Sequence, residues 1–332
     1  MKNLYKMMFL LLTMSGTLIT VSSGSWMLMW MGLEINLLSI IPLLTNVKNK
    51  MESEAAMKYF ITQALASTIL LFSIITMDNI YLSDLPSTVM DCAILTKMGA
   101  APFHFWFPEV MEGLSWSAST LMLTWQKIGP MVMFMYLPKS TLLVTTVILS
   151  SMMISGLMGT NQTSLRKILA YSSINHIGWM MGAMMTNQAI WMIYLLIYTM
   201  MTINITMMFE MNKIFTLSQM INCMNKETKM KIIFSMNFLS LGGLPPFIGF
   251  IPKWITINEM INSSMMITSV TMIIMTLMTL FFYMRITFTS LMMSNTEKNK
   301  ISPYKMNKFT PMMSNFMILG IMSMSSMMLN II

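Results

Sequence analysis

Apolar segments of about 20 residues recur along this chain, separated by short polar or Pro/Gly-containing loops. A helix of that length crosses the hydrocarbon core of a bilayer, and lipid leaves backbone hydrogen bonds to be made within the segment. The pattern therefore predicts an all-α polytopic membrane protein. We place eleven transmembrane helices at 4–22, 25–45, 56–77, 88–112, 115–137, 141–159, 165–185, 188–210, 231–262 (interrupted), 264–290 and 310–331.

The charge content supports a membrane protein over a soluble one. Charged residues make up 10% of the 332 residues, whereas a soluble domain has about 25%. The mean hydropathy is +0.66. The net charge of +8 does not indicate nucleic-acid binding, because the basic residues lie in short loops rather than along one face.

The basic residues also predict the orientation, since Lys and Arg collect in loops on the side that is not translocated. With the N-terminus inside, 15 of the 20 basic residues fall in inner segments and Lys139 falls outside. An odd number of helices then places the C-terminus on the outer side. The inner residues are Lys2, Lys6, Lys48, Lys50, Lys58, Arg166, Lys167, Lys213, Lys226, Lys229, Lys231, Lys298, Lys300, Lys305 and Lys308.

The N-terminal segment reads as a first transmembrane helix and not as a signal peptide, because no small-residue cleavage motif follows it. No arginine-rich transit peptide precedes it, so a mitochondrial location requires synthesis inside the organelle. The 51 methionines agree with this, since animal mitochondria reassign an isoleucine codon to methionine.

One motif occurs twice, at an offset of 246 − 102 = 144 residues. Gly99–Phe103 followed by Pro108 and Gly243–Phe247 followed by Pro252 share the pattern G-x-x-P-F-x-x-x-x-P. The copies lie five helices apart and so cross the membrane in opposite senses. Broken helices in inverted halves mark a transport path, although chance similarity in an apolar sequence is the alternative. We therefore divide a single domain, 1–332, into repeats at 1–137 and 141–290 and a C-terminal helix at 310–331.

Four charged residues lie near the middle of a predicted helix or next to a helix break: Glu34, Lys97, Lys127 and Lys253. Each costs about 2.5–3.5 kcal/mol at the bilayer centre if it is unpaired and dry. They must therefore pair, hold water or change protonation state. A row of such groups can relay protons; static ion pairs that tie helices together are the alternative.

Two histidines extend this set. His176 lies in the middle of the seventh helix, where an imidazole can donate and accept a proton or serve as a buried structural group. His104 follows the first break and is a further candidate for the same path. Two further acids rank below the four central groups. Asp91 lies near an outer helix end, and Glu52 is expected to face the inner aqueous phase.

The sequence has no GxGxxG, P-loop, CxxCH or HExxH motif, so we expect no cofactor and no metal in this chain.

Five segments closely resemble the subunit 2 family of mitochondrial NADH dehydrogenase, respiratory complex I. The resemblance implies an antiporter-like fold of two inverted five-helix repeats, each with one discontinuous helix. It also implies an animal source, which we expect to be an invertebrate. The segments are Trp30–Asn36, Lys97–Trp106, Thr124–Lys127, Tyr171–Met180 and Leu241–Trp254.

The family assigns roles to the buried groups. By resemblance, Glu34 and Lys97 form the first ion pair of a proton path, Lys127 is the central relay, and Lys253 lies on the second broken helix. Lysine at 253 favours this family over subunit 4. The family couples quinone reduction elsewhere in the complex to proton pumping, while other subunits hold NADH, FMN, iron–sulfur clusters and ubiquinone.

The resemblance also implies surroundings. The expected location is the mitochondrial inner membrane, with the N-terminus in the matrix and the C-terminus in the intermembrane space. The expected partners are subunit 4 and the small membrane subunits beside it. Cardiolipin is a candidate lipid. Two other functions are kept open: a stand-alone cation/proton antiporter, and a structural subunit whose buried charges are static.

Overall fold

The computed structural model describes residues 2–45, 49–77, 85–138, 140–224, 228–245 and 247–292. Within these ranges the regular elements are helices, apart from an isolated β-bridge between Ser164 and Thr216. The all-α prediction is therefore confirmed for this part of the chain. The predicted helix at 310–331 lies outside the described residues.

Fourteen α-helices and one 3₁₀ turn are described. They are α1 Lys2–Ser22, α2 Trp26–Leu44, α3 Lys50–Thr76, α4 Leu85–Met98, α5 Trp106–Gly113, α6 Trp116–Leu123, the 3₁₀ turn Trp125–Lys127, α7 Ile128–Tyr136, α8 Thr141–Thr160, α9 Leu165–Thr186, α10 Gln188–Asn212, α11 Leu217–Met224, α12 Thr228–Gly242, α13 Phe250–Asn262 and α14 Met266–Met292.

Six stretches among the described residues are long and apolar enough to cross a membrane. They lie at Leu4–Ser22, Trp26–Leu44, Lys50–Thr76, Thr141–Thr160, Gln188–Asn212 and Met266–Thr289. Helix α9 is long enough but more polar, and every residue from Ile168 to Met184 is buried. Other helices therefore shield α9 from lipid, so its composition need not be apolar.

The buried apolar residues form two layers. One, named here the Trp116 layer, includes Ile40, Ala55, Phe107, Trp116, Leu169, Phe209 and Phe238. The other, the Trp191 layer, includes Met29, Leu70, Ile94, Met133, Trp179, Trp191 and Met272. The start of α3 belongs to the Trp116 layer, so that layer lies toward the predicted inner side.

A set of buried and half-buried polar residues lies where the helices pass from one layer to the other. Lys127, for example, lies between Leu123 of the Trp116 layer and Met131 of the Trp191 layer. His176 lies between Ile174 and Ile177 in the same way. We call this set the central polar belt: Glu34, Asn36, Gln126, Lys127, Asn175, His176 and Lys253.

Both copies of the repeated motif interrupt a helix, and they do so with the same local geometry. Gly99 and Gly243 have φ of +73° and +74°, the left-handed conformation that ends a helix most easily at glycine. Gly99 N–H donates to Thr96 O over 3.2 Å and Ala100 N–H donates to Leu95 O over 3.1 Å. Gly243 and Leu244 make the corresponding bonds to Ser240 O and Leu239 O, over 3.0 and 3.4 Å.

A proline restarts each helix. Pro108, Pro130 and Pro252 each occupy the third position of a helix that follows a break: α5, α7 and α13. Because proline has no N–H, it cannot bond the carbonyl four residues earlier, but it fits the first helical turn. These prolines therefore fix where the second half of each broken helix begins.

Three details differ from the sequence-based expectations. The helix predicted at 115–137 is divided at Thr124 by the 3₁₀ turn, since Pro130 leaves the Gln126 carbonyl without its helical partner. Helix α3 begins at Lys50 rather than at 56. The short helix α11 lies in a segment expected to be a loop.

Replacing Gly99 by alanine should destabilise the first break, because a left-handed conformation costs a residue with Cβ about 1–2 kcal/mol. The added Cβ would also lie 3.3 Å from Phe107 Cβ. Gly24→Ala is the matched control, because a Cβ there meets nothing within 4 Å. The melting temperature of the assembled protein should fall for Gly99→Ala and stay unchanged for Gly24→Ala; equal values would contradict this account.

Candidate functional site

An ion pair joins α2 to the end of α4. Lys97 Nζ lies 3.9 Å from Glu34 Oε1, with the two side chains 3% and 25% exposed. Lys97 occupies the last turn of α4, where the negative end of the helix dipole favours a cation. The structure thus brings together two of the groups singled out from sequence, 63 positions apart (97 − 34).

A hydrogen-bonded amide network lies beside this pair. Gln126 Nε2 donates to Asn36 Oδ1 over 2.9 Å, and the Tyr59 hydroxyl donates to Gln126 Oε1 at a long 3.5 Å. These three side chains line a cavity together with Lys97 and Lys127. Its volume of ≈ 20 Å³ exceeds the roughly 10–15 Å³ that one water molecule requires. The cavity therefore offers a polar, water-sized connection from the ion pair to Lys127.

Lys127 is the most isolated charged group of the belt. Its residue is 3% exposed, and its Nζ has no hydrogen-bond partner among the described residues. The ammonium lies 5.5 Å from the Phe107 ring centroid and 5.1 Å from that of Tyr198, within cation–π distance. Two aromatic rings compensate part of the desolvation cost, while no fixed acceptor holds the proton in place.

His176 contacts the same Tyr198 ring that Lys127 approaches. Its ring centroid is 4.9 Å from that of Tyr198, and its Nδ1 lies 2.9 Å from the Tyr194 hydroxyl. His176 Nε2 has no hydrogen-bond partner among the described residues. One ring nitrogen is thus anchored and the other is open, which suits an imidazole that passes protons.

Lys253 reaches back across the second break. Its Nζ donates to Gly242 O over 2.8 Å, which caps the C-terminal end of α12, and it lies 5.9 Å from the Trp179 ring centroid. A Cβ on Gly243 would come within 2.8 Å of Lys253 Nζ. Glycine at 243 therefore provides both the turn and the space for this lysine.

The remaining residues considered from sequence fall outside this row. His104 is buried in the first break, with its Nδ1 3.3 Å from Pro102 O, and it does not line the cavity. Glu52 was expected to face water, but it is buried and accepts a hydrogen bond from Asn49 Nδ2 over 3.0 Å. That expectation was wrong because α3 starts earlier than predicted and packs tightly on Gly113, the last residue of α5.

The amide network was missed in the sequence. Asn36 and Gln126 are each within two positions of a buried charge, Glu34 and Lys127, in otherwise apolar segments. A buried amide needs hydrogen-bond partners as a charge does, and this proximity was the available signal.

The fold and the row of buried lysines define an antiporter-like membrane protein. The family model described as "NADH:quinone oxidoreductase/Mrp antiporter, TM" matches residues 23–279. The solved structures agree on the fold, with a chain of respiratory complex I from Thermus thermophilus giving a TM-score of 0.85 at 22% identity, over 96% of this chain and 78% of that one. A chain of the Mrp complex from Dietzia gives 0.72 at 17% identity, over 84% of this chain and 59% of that one.

Closer relatives narrow the family. NADH-ubiquinone oxidoreductase chain 2 of Anopheles gambiae is 44% identical over 98% of both chains, and that of Locusta migratoria is 42% identical over 98% of both. The chain belongs to the NADH-ubiquinone oxidoreductase chain 2 family, an antiporter-like membrane subunit family of complex I.

The Glu34–Lys97 pair should show strong energetic coupling, because removing one partner leaves a buried charge unpaired. We expect Glu34→Gln and Lys97→Met each to lower the melting temperature, and the double variant to lower it by less than the sum. Contacting groups couple by about 0.5–3 kcal/mol.

The exposed pair Lys58–Glu109, at 3.2 Å, is the matched control, because such pairs contribute about 0–1 kcal/mol. A Lys58→Met, Glu109→Gln cycle should be close to additive. Additive losses in the Glu34–Lys97 cycle would show that the buried pair does not act as a unit.

Proposed function

We propose that this chain is a proton-translocating, non-redox subunit of complex I, and that protons move along Glu34, Lys97, Lys127, His176 and Lys253. The observation that carries the proposal is the position of Lys127, a buried ammonium for which the described residues provide no fixed acceptor. The cavity connects it to the Glu34–Lys97 pair, and the Tyr198 ring that it approaches also contacts His176. A buried lysine with a purely structural role is expected to be paired with a fixed acceptor.

The steps are single proton transfers between side chains and cavity water. Lys127 can release a proton to a water in the cavity, and Lys97, which also lines the cavity and is paired with Glu34, can accept it when it is neutral. In the other direction Tyr198 contacts both Lys127 and His176, and Lys253 approaches Trp179, which follows His176 by three residues on α9. Because charges in a low-dielectric interior interact strongly, a change at one member alters the proton affinity of the next.

The architecture belongs to the same proposal. Eleven transmembrane helices, inverted repeats at 1–137 and 141–290 and a last helix at 310–331 form one domain. The equal backbone geometry of the two breaks at an offset of 144 residues supports the repeats. In this arrangement the breaks lie at the belt, where non-helical backbone is tolerated because protein and water surround it.

We place the chain in the mitochondrial inner membrane, encoded in the organelle, with its N-terminus in the matrix and its C-terminus in the intermembrane space. The names of its relatives support a place in a multi-subunit membrane complex. The partners proposed are subunit 4 and the small membrane subunits, with cardiolipin among the surrounding lipids. NADH, FMN, iron–sulfur clusters and ubiquinone are assigned to other subunits.

A static role is the second candidate for Lys253, because its hydrogen bond to Gly242 O closes the break. A relay lysine must give up its proton, whereas a capping lysine needs only to donate. A side chain that is always protonated can therefore replace Lys253 in the capping role but not in the relay role.

Lys127→Met should lower the number of protons pumped per electron, because methionine has similar length and no exchangeable proton. The measurement is the ratio of proton uptake to NADH oxidation in the assembled complex in proteoliposomes. Lys58→Met, which changes an exposed lysine, is the control and should keep the wild-type ratio. A wild-type ratio in Lys127→Met would overturn the relay role.

The Lys253→Arg variant distinguishes a proton-relay role of Lys253 from a role in capping the end of α12. Arginine keeps the charge and the donors but does not deprotonate in proteins. If Lys253 relays protons, Lys253→Arg should pump as poorly as Lys253→Met. If it only caps α12, Lys253→Arg should pump normally and Lys253→Met should lower the melting temperature.

A further inference from the structure

Asp91 is a buried acid to which the described part of the chain provides no hydrogen-bond or ion-pair partner. It is 1% exposed, neither carboxyl oxygen has a hydrogen-bond partner, and none of the four ion pairs among the described residues includes it. An ionised carboxylate in such surroundings costs several kcal/mol, so they favour the neutral acid, which carries a proton. The sequence-based ranking of Asp91 below the central groups therefore underestimated its burial.

The position of Asp91 along α4 relates it to the cavity. Asp91, Leu95 and Met98 are spaced i, i+4, i+7 and share one face of the helix, and Met98 lines the cavity. Seven residues of helix separate Asp91 from Met98 by about 10 Å. The six residues Leu85–Met90 extend about 9 Å further, toward the predicted outer side. Asp91 is thus midway between the cavity and the outer end of α4.

Asp91 also lies within the apolar barrier that separates the belt from that side. Its neighbours Met90, Ala93 and Ile94 belong to the Trp191 layer. Among the described residues, the other carboxylate that is less than a tenth exposed is Glu52, which lies at the opposite side, at the start of α3. Any proton that leaves the cavity along α4 has to pass the level of Asp91.

We propose that Asp91 is a proton-binding group on the outward half of the route, which extends the proposed function and depends on it. The acid releases its proton to water on the outer side, and the carboxylate then takes one proton from hydronium that reaches it from the cavity. Only O–H bonds form and break. Asp91 lies within the apolar barrier, so water must reach it from the outer side for the first transfer and pass the level of Leu95 for the second.

The test is the proton-to-electron ratio of the complex carrying Asp91→Asn, which keeps the size of the neutral acid but cannot exchange its proton. We expect a lowered ratio, with Asp91→Glu at the wild-type value. Glu259→Gln, a partly exposed acid in α13, is the control and should not change the ratio. A wild-type ratio in Asp91→Asn overturns the proposal.

Lys127→Met in the same assay separates this proposal from the proposed function. A lowered ratio in Lys127→Met with a wild-type ratio in Asp91→Asn rejects only the role of Asp91. A wild-type ratio in Lys127→Met rejects the relay itself.

If the complex carrying Asp91→Asn does not assemble, infrared spectroscopy is the alternative test. The C=O stretch of a protonated, buried carboxylic acid should be present in the wild-type complex and should shift in Asp91→Glu. A spectrum identical in the two overturns the proposal.

Discussion

The fold depends on burying a few charges between two apolar layers. Lys97, Lys127 and Lys253 are each less than a tenth exposed, and no aqueous phase reaches them directly. Their cost is offset by different means: an ion pair for Lys97, aromatic rings for Lys127 and a helix end for Lys253. Because only the first of these neutralises charge, the belt keeps positive groups that can exchange protons.

The helix breaks provide the free backbone carbonyls and the space that these interactions require. A continuous helix would offer Lys253 no free carbonyl, since its backbone acceptors are already bonded. The break at Gly243 exposes the end of α12, and the missing side chain leaves space for the lysine. At the first break, Trp106 Nε1 donates to Thr96 O over 3.0 Å and ties α5 to the end of α4. Each break is therefore a fixed structure that presents polar backbone to the belt.

The sequence predicted the parts of this arrangement that follow local rules. Both glycine–proline breaks were found because those residues have few other uses inside an apolar segment. The four central charges were found because charged residues are also uncommon inside an apolar segment. The division at Thr124 was missed because a single proline in an early helical turn has a weak signal. The burial of Asp91 and Glu52 was missed because distance from a helix end does not determine which face packs against a neighbour.

The polarity of α9 has a consequence for how the chain enters the bilayer. Ser172, Ser173, Asn175 and His176 lie within little more than one turn of this helix, and all are covered by protein. Alone in lipid, α9 would expose these groups, whereas its neighbours α8 and α10 are among the helices apolar enough to span by themselves. Stable insertion of α9 therefore depends on the helices that pack around it, and these extend along the chain to α14, whose Thr279 accepts a hydrogen bond from Asn175 over 3.3 Å.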